Sequence, residues 1–436
     1  MPFIEFNSNL QTIAAVIFPD VIGEAGALSP ADRLAETQGL AAAINLDVAY
    51  SEIVKIRTIK PATYIGQGAI DKLQQIITQY NVELLIVDTQ LSPIQQRNLE
   101  KKLNLKVIDR TALILEIFGE RAQTNEGKLQ VELAHLTYQR SRLVRSWTHL
   151  ERQRGGAGFL GGPGETQIEL DRRIIDDKIL RIKKELSKVK QTRAIQRSSR
   201  QKVPYPVVAL VGYTNAGKSS LFNRLSAADV LAKDMLFATL DPALRKVRLP
   251  SGREVILSDT VGFISDLPHE LIMAFRATLE EVLAADIIVH VRDISNSDTK
   301  EQKQDVLKVL SSLGLDNIEE KNNYIELLNK SDLLPPETKA DLQQYYALKP
   351  NMIMISALSG EGCSVFLRQL DDKLAQDFKI IDVKIPVVEG KLLSWIYAHA
   401  EVLHIVNTDK FVEFKLRLDK AADAKLTKML QSLPNV

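Results

Sequence analysis

A glycine-rich loop between a strand-like run and a helix-like run constrains the fold of this 436-residue chain more than any other feature. The strand-like run VVALVG leads into GYTNAGKS, residues 212–219. Such a loop lets backbone N–H groups surround phosphates at the N-terminus of a helix within an α/β domain. Lys218 would reach the outer phosphates, and the Ser219 hydroxyl would hold Mg²⁺. The motif predicts phosphate binding, but an ATPase, a kinase or a GTPase would each satisfy it.

A second motif, NKSD at residues 329–332, indicates which base is bound. It follows the strand-like run YIELLN. The Asp332 carboxylate can accept hydrogen bonds from the ring N–H and the amino group of guanine, whereas adenine presents an acceptor at its ring nitrogen. Alone, NKSD is a common surface string. After a strand in a phosphate-binding domain, however, it predicts guanine recognition, and the backbone of residues 356–358 could close over the guanine carbonyl.

The stretch DTVGFISDLP, residues 259–268, suits the sensing of the terminal phosphate. Asp259 would hold Mg²⁺ through water, and the Gly262 N–H would meet the γ-phosphate. Thr239, in FATLDP, would supply a second hydroxyl to Mg²⁺ if residues 229–241 close as a switch. These motifs stand in the order of a GTP-binding domain, which we therefore predict.

Phe263 complicates the prediction of hydrolysis. The residue after D-x-x-G is often a glutamine that orients the attacking water, and a phenyl ring cannot make that hydrogen bond. One interpretation is that Phe263 packs in the core of a protein that binds GTP without cleaving it. The other, which we favour, is slow hydrolysis helped by a partner, another polar group or the backbone.

The periodicity of the chain predicts four regions. Residues 1–125 alternate strand-like and helix-like runs, which predicts an α/β domain with a mainly parallel sheet. Residues 126–203 predict a helical hairpin, residues 204–378 a second α/β domain with a mainly parallel sheet, and residues 379–436 a small α+β unit. The fold class is therefore α/β.

The predicted hairpin is rich in positive charge. Residues 128–202 contain 18 Lys and Arg against 8 Asp and Glu, although the net charge of the whole chain is only +1. Apolar residues recur every seven positions, as in Leu129, Leu136, Leu143 and Leu150, and again from Ile168 to Val189. Two heptad helices with a glycine-rich loop at residues 154–167 should fold back antiparallel. We expect Tyr138 and Trp147 to pack against the helices. The basic field predicts a polyanionic partner, although a solvated helical surface would show the same charge.

Composition excludes several other classes of protein. The single cysteine, Cys363, rules out an intrachain disulfide framework, and the six histidines have no ligand-like spacing with it. No secretory signal or membrane-spanning run is evident. We expect a cytoplasmic protein.

Beyond these motifs, the chain resembles the HflX family of P-loop GTPases. The resemblance rests on LSPIQQRNLE, VIDRTALILEIF, EGKLQVELAHLTYQRSRL, GGPGETQIELDRR, GYTNAGKSSLFNRL, FATLDP and DTVGFISDLPHELI. It implies binding to the large ribosomal subunit, hydrolysis of GTP to GDP stimulated by the ribosome, and a role in ribosome splitting, rescue or biogenesis. An apolar residue after D-x-x-G is normal in that family, and the basic hairpin would contact ribosomal RNA.

The resemblance also implies a set of site residues. Lys218, Thr239 and Gly262 would act on the reacting phosphate, and Ser219 and Thr239 would bind Mg²⁺. The nucleotide, GTP or GDP, would contact Gly212, Tyr213, Thr214, Asn215, Ala216, Gly217, Lys218, Ser219, Phe237, Ala238, Thr239, Leu240, Asp241, Asp259, Thr260, Val261, Gly262, Asn329, Lys330, Ser331, Asp332, Ser356, Ala357 and Leu358. We expect a monomer. Two alternatives stay open: a GTP-binding scaffold without turnover, and a metabolic enzyme that transfers phosphate to a small molecule.

Overall fold

The computed structural model of the protein describes residues 11–23, 29–153, 163–200, 205–226, 237, 243–266, 279, 281–376, 378–408 and 410–431. Within these residues no helix combines the length and the apolar character that crossing a membrane requires. Three separate β-sheets organise this part of the chain.

The N-terminal sheet has four strands in the order β2-β1-β3-β4, and every pair is parallel, as the alternating pattern predicts. Ser29 begins α1 by accepting a hydrogen bond from the Asp32 N–H, and Ser92 begins α3 with a reciprocal capping box to Gln95. The elements are β1 (Ile13–Val21), α1 (Pro30–Ala43), β2 (Asp47–Ile56), α2 (Gln67–Tyr80), β3 (Leu84–Val87), α3 (Pro93–Leu103), β4 (Lys106–Asp109) and α4 (Arg110–Arg121).

Two long helices follow, α5 (Asn125–Gln153) and α6 (Pro163–Arg200), and they pack on each other as the heptads predict. A shared apolar cluster joins them, with Leu136, Ile179 and Ile182 buried and Leu129, Leu133, Ile175 and Leu186 around them. Tyr138 is buried, which confirms the expectation that it packs. The side chains of Trp147, Leu150 and Ile168 lie outside the described part.

The loop predicted at residues 154–167 is too long at its C-terminal end. The second helix already begins at Pro163. Proline suits the first helical position because its missing N–H has no intrahelical partner there, so the glycine count in this stretch was a misleading signal. Residues 154–162 lie outside the described residues.

The second sheet has six strands in the order β10-β9-β8-β5-β7-β6, all parallel except the pair β6 and β7. The central strand β5 is a continuous apolar run, VVALV, because both of its faces are buried in apolar clusters. The elements are β5 (Val207–Val211), α7 (Lys218–Ser226), β6 (Ala243–Arg248), β7 (Glu254–Asp259), β8 (Ile287–Asp293), α8 (Thr299–Ser312), β9 (Tyr324–Asn329), α9 (Pro336–Ala347), β10 (Met352–Met354) and α10 (Cys363–Gln376).

The C-terminal elements form a three-stranded antiparallel sheet in the order β11-β13-β12. This agrees with the predicted α+β unit. Its core includes Ile396, Leu416 and Leu426, which come from two helices and the central strand. The elements are β11 (Phe378–Pro386), α11 (Gly390–His399), β12 (Glu401–Asn407), β13 (Phe411–Asp419) and α12 (Lys420–Gln431).

One apolar core extends from the N-terminal sheet into the six-stranded sheet region. The ring of Phe118, in α4, meets the ring of Phe237 edge to face, with centroids 4.7 Å apart. Edge-to-face pairs of this kind are favourable beyond the area they bury. The two sheets are therefore joined by packing as well as by the chain.

Candidate nucleotide site

The phosphate loop connects the end of β5 to the start of α7, where parallel-sheet domains bind phosphates. Gly217 has a φ of +91°, and a Cβ there would lie 2.1 Å from the Asn329 Nδ2 atom. Only glycine fits this conformation and this close approach. The loop therefore presses directly against Asn329, so the phosphate motif and the first residue of NKSD are in contact.

The Lys218 amine lies under the loop. Its Nζ donates to the carbonyl oxygens of Gly212, at 3.0 Å, and Tyr213, at 2.8 Å. Burial lowers the pKa of Lys218 to about 8, and the nearby Asp259 carboxylate only partly opposes this effect. A bound phosphate would stabilise the charged amine, so this lysine is suited to an anionic ligand.

Ser219 and Asp259 lie side by side, as expected for residues that share one cation. The Ser219 Oγ donates to the Asp259 Oδ2 at 2.7 Å. A hydroxyl and a carboxylate are the hard oxygen ligands that Mg²⁺ prefers, and Mg²⁺ commonly uses few protein ligands together with nucleotide phosphates and waters. The donor set fits Mg²⁺. Thr239, the other predicted ligand, lies outside the described residues, as do Ala238, Leu240 and Asp241.

The residues after Gly262 are anchored to the phosphate loop through their backbone. The Thr214 N–H donates to the Phe263 carbonyl at 2.7 Å, and the Phe263 N–H donates to the Gly212 carbonyl at 3.1 Å. The Phe263 ring is only 2% exposed. The ring therefore packs in the core and cannot hydrogen-bond to a water molecule; this bears out the packing in the first interpretation but not its conclusion that GTP is left uncleaved.

Asn329 connects the phosphate loop to the loop at residues 356–358. Its Nδ2 donates to the Ala216 carbonyl and its Oδ1 accepts from the Ala357 N–H, both at 2.8 Å. Asp332 is exposed on the same stretch, whereas Asn329 is buried. The structure thus brings the predicted phosphate and base motifs into one site, with the Asp332 carboxylate accessible.

The remaining predicted residues have different surroundings. The Thr260 Oγ1 donates to the Leu210 carbonyl at 2.6 Å, and Val261 is buried. Lys330 pairs with Asp293 at 2.8 Å. The Phe237 ring is buried against Phe118, so its contact with a nucleotide stays a prediction.

The sequence motifs missed a buried polar cluster between the N-terminal sheet and this site. The Tyr213 hydroxyl donates to Glu36 and accepts from the Ser265 N–H at 2.8 Å. Arg110 donates to the Ser265 carbonyl at 3.0 Å and pairs with both Glu36 and Asp88. We call Glu36, Asp88, Arg110, Tyr213 and Ser265 the interdomain cluster.

Arg33 extends the interdomain cluster to the surface. It pairs with Asp88 at 3.2 Å and with Asp266 at 2.6 Å. Arg33 and Arg110, from the N-terminal region, thus contact Asp266 and Ser265, which follow Gly262 by four and three positions. No local motif marks them, and the only signal would have been charged residues at predicted buried positions.

Family models match most of the chain. A model described as GTP-binding GTPase N-terminal matches residues 31–119, and one described as GTP-binding GTPase Middle Region matches residues 121–200. Residues 207–330 match a model described as 50S ribosome-binding GTPase, and residues 341–436 match the HflX C-terminal domain.

Several relatives are similar over nearly the whole chain. The GTPase HflX of Magnetococcus marinus is 47% identical over 393 residues, which are 90% of this chain and 89% of the relative. The GTPase HflX of Escherichia coli is 43% identical over 77% of this chain and 78% of its own length. A GTP-binding protein from Sulfolobus solfataricus, solved in complex with GDP, is 24% identical over 83% of this chain and 99% of that chain, with a TM-score of 0.45.

Proposed function

Because this chain belongs to the HflX family of GTPases, we propose that the GTP it hydrolyses controls a cycle of binding to the large ribosomal subunit. The contact that best supports this proposal is made by Asn329, which touches both the phosphate loop and the loop at residues 356–358. A nucleotide seated between these loops would order both of them together.

The proposed site residues are those that the motifs predict. Lys218 would neutralise the outer phosphates, and Asp332 would select guanine. Ser219, with Thr239 and with Asp259 through water, would hold Mg²⁺, which would neutralise charge on the phosphates. In the GTP state, Thr239 and Gly262 would be drawn to the γ-phosphate, and hydrolysis would release them.

The proposed ribosomal contact is the basic hairpin formed by α5 and α6. Cationic side chains on a stiff helical pair can neutralise RNA phosphates, and such contacts weaken as salt rises. Within the described part of the hairpin some of these charges are paired, as Arg140 is with Asp176 at 3.2 Å. Ribosome splitting, rescue or biogenesis is the role that we propose for this contact.

We also propose the four units predicted from the sequence, 1–125, 126–203, 204–378 and 379–436, working as a monomer. The third unit would bind the nucleotide and the second the RNA. Since the hairpin lies between the two α/β units in the chain, RNA contacts and nucleotide state could influence each other.

Phosphate release measured with and without purified large ribosomal subunits, at several salt concentrations, tests this function. We expect slow release alone, stimulation by the subunit, and loss of stimulation as salt rises. Lys218→Ala serves as the control, since it should remove nucleotide binding. No release under either condition would instead support the scaffold alternative, and transfer to an added acceptor would support a metabolic enzyme.

The base assignment has its own test in Asp332→Asn. An amide at this position can no longer accept from both guanine donors but can donate to the extra carbonyl of xanthine. We expect the ratio of the affinity for GDP to the affinity for XDP to fall at least tenfold in this variant, as measured by competition binding. A variant that stays selective for GDP would refute the role of Asp332.

A further inference from the structure

Arg224, near the end of α7, contacts the loop at residues 356–358. Its Nε donates to the Ala357 carbonyl and its Nη2 donates to the Leu358 carbonyl. Two donors of one planar guanidinium hold two consecutive carbonyls, which fixes the direction of the backbone as well as its position. Arg224 lies in the stretch GYTNAGKSSLFNRL, five positions after the phosphate loop ends at Ser219, and it is not among the predicted site residues.

Gly360, in the same loop, leaves room for this guanidinium. Gly360 has a φ of +90°, and a Cβ there would lie only 2.7 Å from the Arg224 Nη1 atom. The Gly360 N–H closes the turn by donating to the Ser356 carbonyl at 2.8 Å. A residue with a Cβ at position 360 would have to displace the end of the Arg224 side chain and would also be strained at this positive φ, so glycine fits best here.

The hydrogen bonds of this loop leave one N–H directed away from Arg224. The N–H groups of Ser356, Ala357, Ser359 and Gly360 all donate within the described part of the protein. For the Leu358 N–H no such bond is found, and Leu358 is 78% exposed. In a trans peptide the C=O and the N–H point in opposite directions. By holding the Ala357 carbonyl, Arg224 therefore turns the Leu358 N–H to the opposite side.

We propose that Arg224 is a positioning residue for guanine recognition: it fixes the Ala357–Leu358 peptide so that the Leu358 N–H is presented to the 6-oxo group of the base. Arg224 acts through the loop and does not touch the nucleotide. The inference rests on the proposed assignment of residues 356–358 to the guanine carbonyl. It adds that a residue of the helix beginning at the phosphate loop determines how strongly that carbonyl is recognised.

The test measures the affinities for GDP, IDP and 6-thio-GDP by calorimetry, with the wild-type protein and with the Arg224→Gln variant. IDP keeps the 6-oxo group but lacks the 2-amino group. By contrast, 6-thio-GDP keeps the ring N–H and the 2-amino group but replaces the oxygen with sulfur, a weak acceptor. For Arg224→Gln we expect the affinities for GDP and IDP to weaken by the same factor, about fivefold, which corresponds to one net hydrogen bond. Binding of 6-thio-GDP should change less than twofold.

Two further variants separate positioning from general damage. Arg224→Lys can donate to one carbonyl and should recover part of the GDP affinity. Lys339→Gln removes an ion pair with Glu361, 2.6 Å long, beside the same loop but away from the Arg224 contacts. It should leave all three affinities unchanged.

The possible failures are distinct. Equal weakening of all three diphosphates by Arg224→Gln, or no weakening at all, would overturn the role of Arg224 while leaving the guanine site intact. A wild-type protein with equal affinity for GDP and 6-thio-GDP would instead refute the assignment of residues 356–358, and the inference with it.

Discussion

At the scale of the residue, the backbone and the side chain of Phe263 have different surroundings. Its backbone N–H and carbonyl bond to the phosphate loop, while its ring lies in the core. The sequence could show that the side chain cannot orient water, but not that its backbone groups are also engaged. The attacking water must therefore be positioned by groups other than the Phe263 side chain.

Replacing this ring tests that conclusion. Phe263→Gln should lower the free energy of unfolding by about 2 to 4 kcal/mol, because the cavity and the buried amide both cost stability. It should not raise the intrinsic rate of phosphate release. Urea unfolding and single-turnover hydrolysis measure the two effects, and Phe263→Leu, which adds no polar group, should cost less. Faster hydrolysis by Phe263→Gln would show that the side chain does reach the attacking water.

Lys218 predicts a proton linkage at the same scale. Burial lowers its pKa to about 8 without nucleotide, and phosphates should raise the pKa again. Above the lowered pKa, binding of GDP must therefore be accompanied by proton uptake, about 0.75 proton per GDP at pH 8.5 and almost none at pH 6.5. Affinity should consequently fall as pH rises through 8. Calorimetry in buffers of different ionisation enthalpy measures the uptake, and none at pH 8.5 would contradict the charge assigned to this amine.

At the scale of the element, the sequence predicted those features whose signals are local. The strand, phosphate loop and helix at residues 207–226 follow from contiguous motifs, and the pairing of α5 with α6 follows from the heptads. The start of α6 at Pro163 did not follow, because glycine content and the preference of proline for the first helical turn point in opposite directions.

The heptad interpretation makes a quantitative prediction for α6. Ile179 is 4% exposed within the cluster shared with α5, whereas the adjacent Leu180 is 57% exposed. Ile179→Ala should lower the free energy of unfolding by about 2 to 4 kcal/mol, while Leu180→Ala should change it by less than about 0.5 kcal/mol. Hydrogen exchange of the helix amides locates the effect. Equal effects from the two variants would contradict the packing of Ile179, and not Leu180, against α5.

At the scale of the whole molecule, the interdomain cluster is the feature that the sequence could not predict. Glu36 and Ser265 are 229 positions apart, and Arg110 and Ser265 are 155 apart. Their contact depends on how two sheets dock, which no periodicity or spacing within either region encodes. The same holds for the meeting of Phe118 and Phe237.

Removing one charge from the interdomain cluster should be costly. Arg110→Leu would leave Glu36 without this partner and weaken the neutralisation of the fully buried Asp88. The expected loss is about 3 to 5 kcal/mol of unfolding free energy, because an uncompensated buried charge remains. Arg97→Leu, on the exposed surface of α3, is the matched control and should be nearly neutral. If both variants unfold at the same urea concentration, the cluster contributes nothing to docking.

The interdomain cluster also links nucleotide binding to the association of the two α/β regions. Ser265 and Asp266 are held by Arg110 and Arg33, and they lie three and four positions after Gly262, the proposed sensor of the terminal phosphate. If the nucleotide changes the affinity between the two α/β regions by some factor, then separating those regions must change nucleotide affinity by the same factor. A large partner that pulls the N-terminal region aside would thereby change the equilibrium affinity for GTP or GDP, without approaching the base or the phosphates.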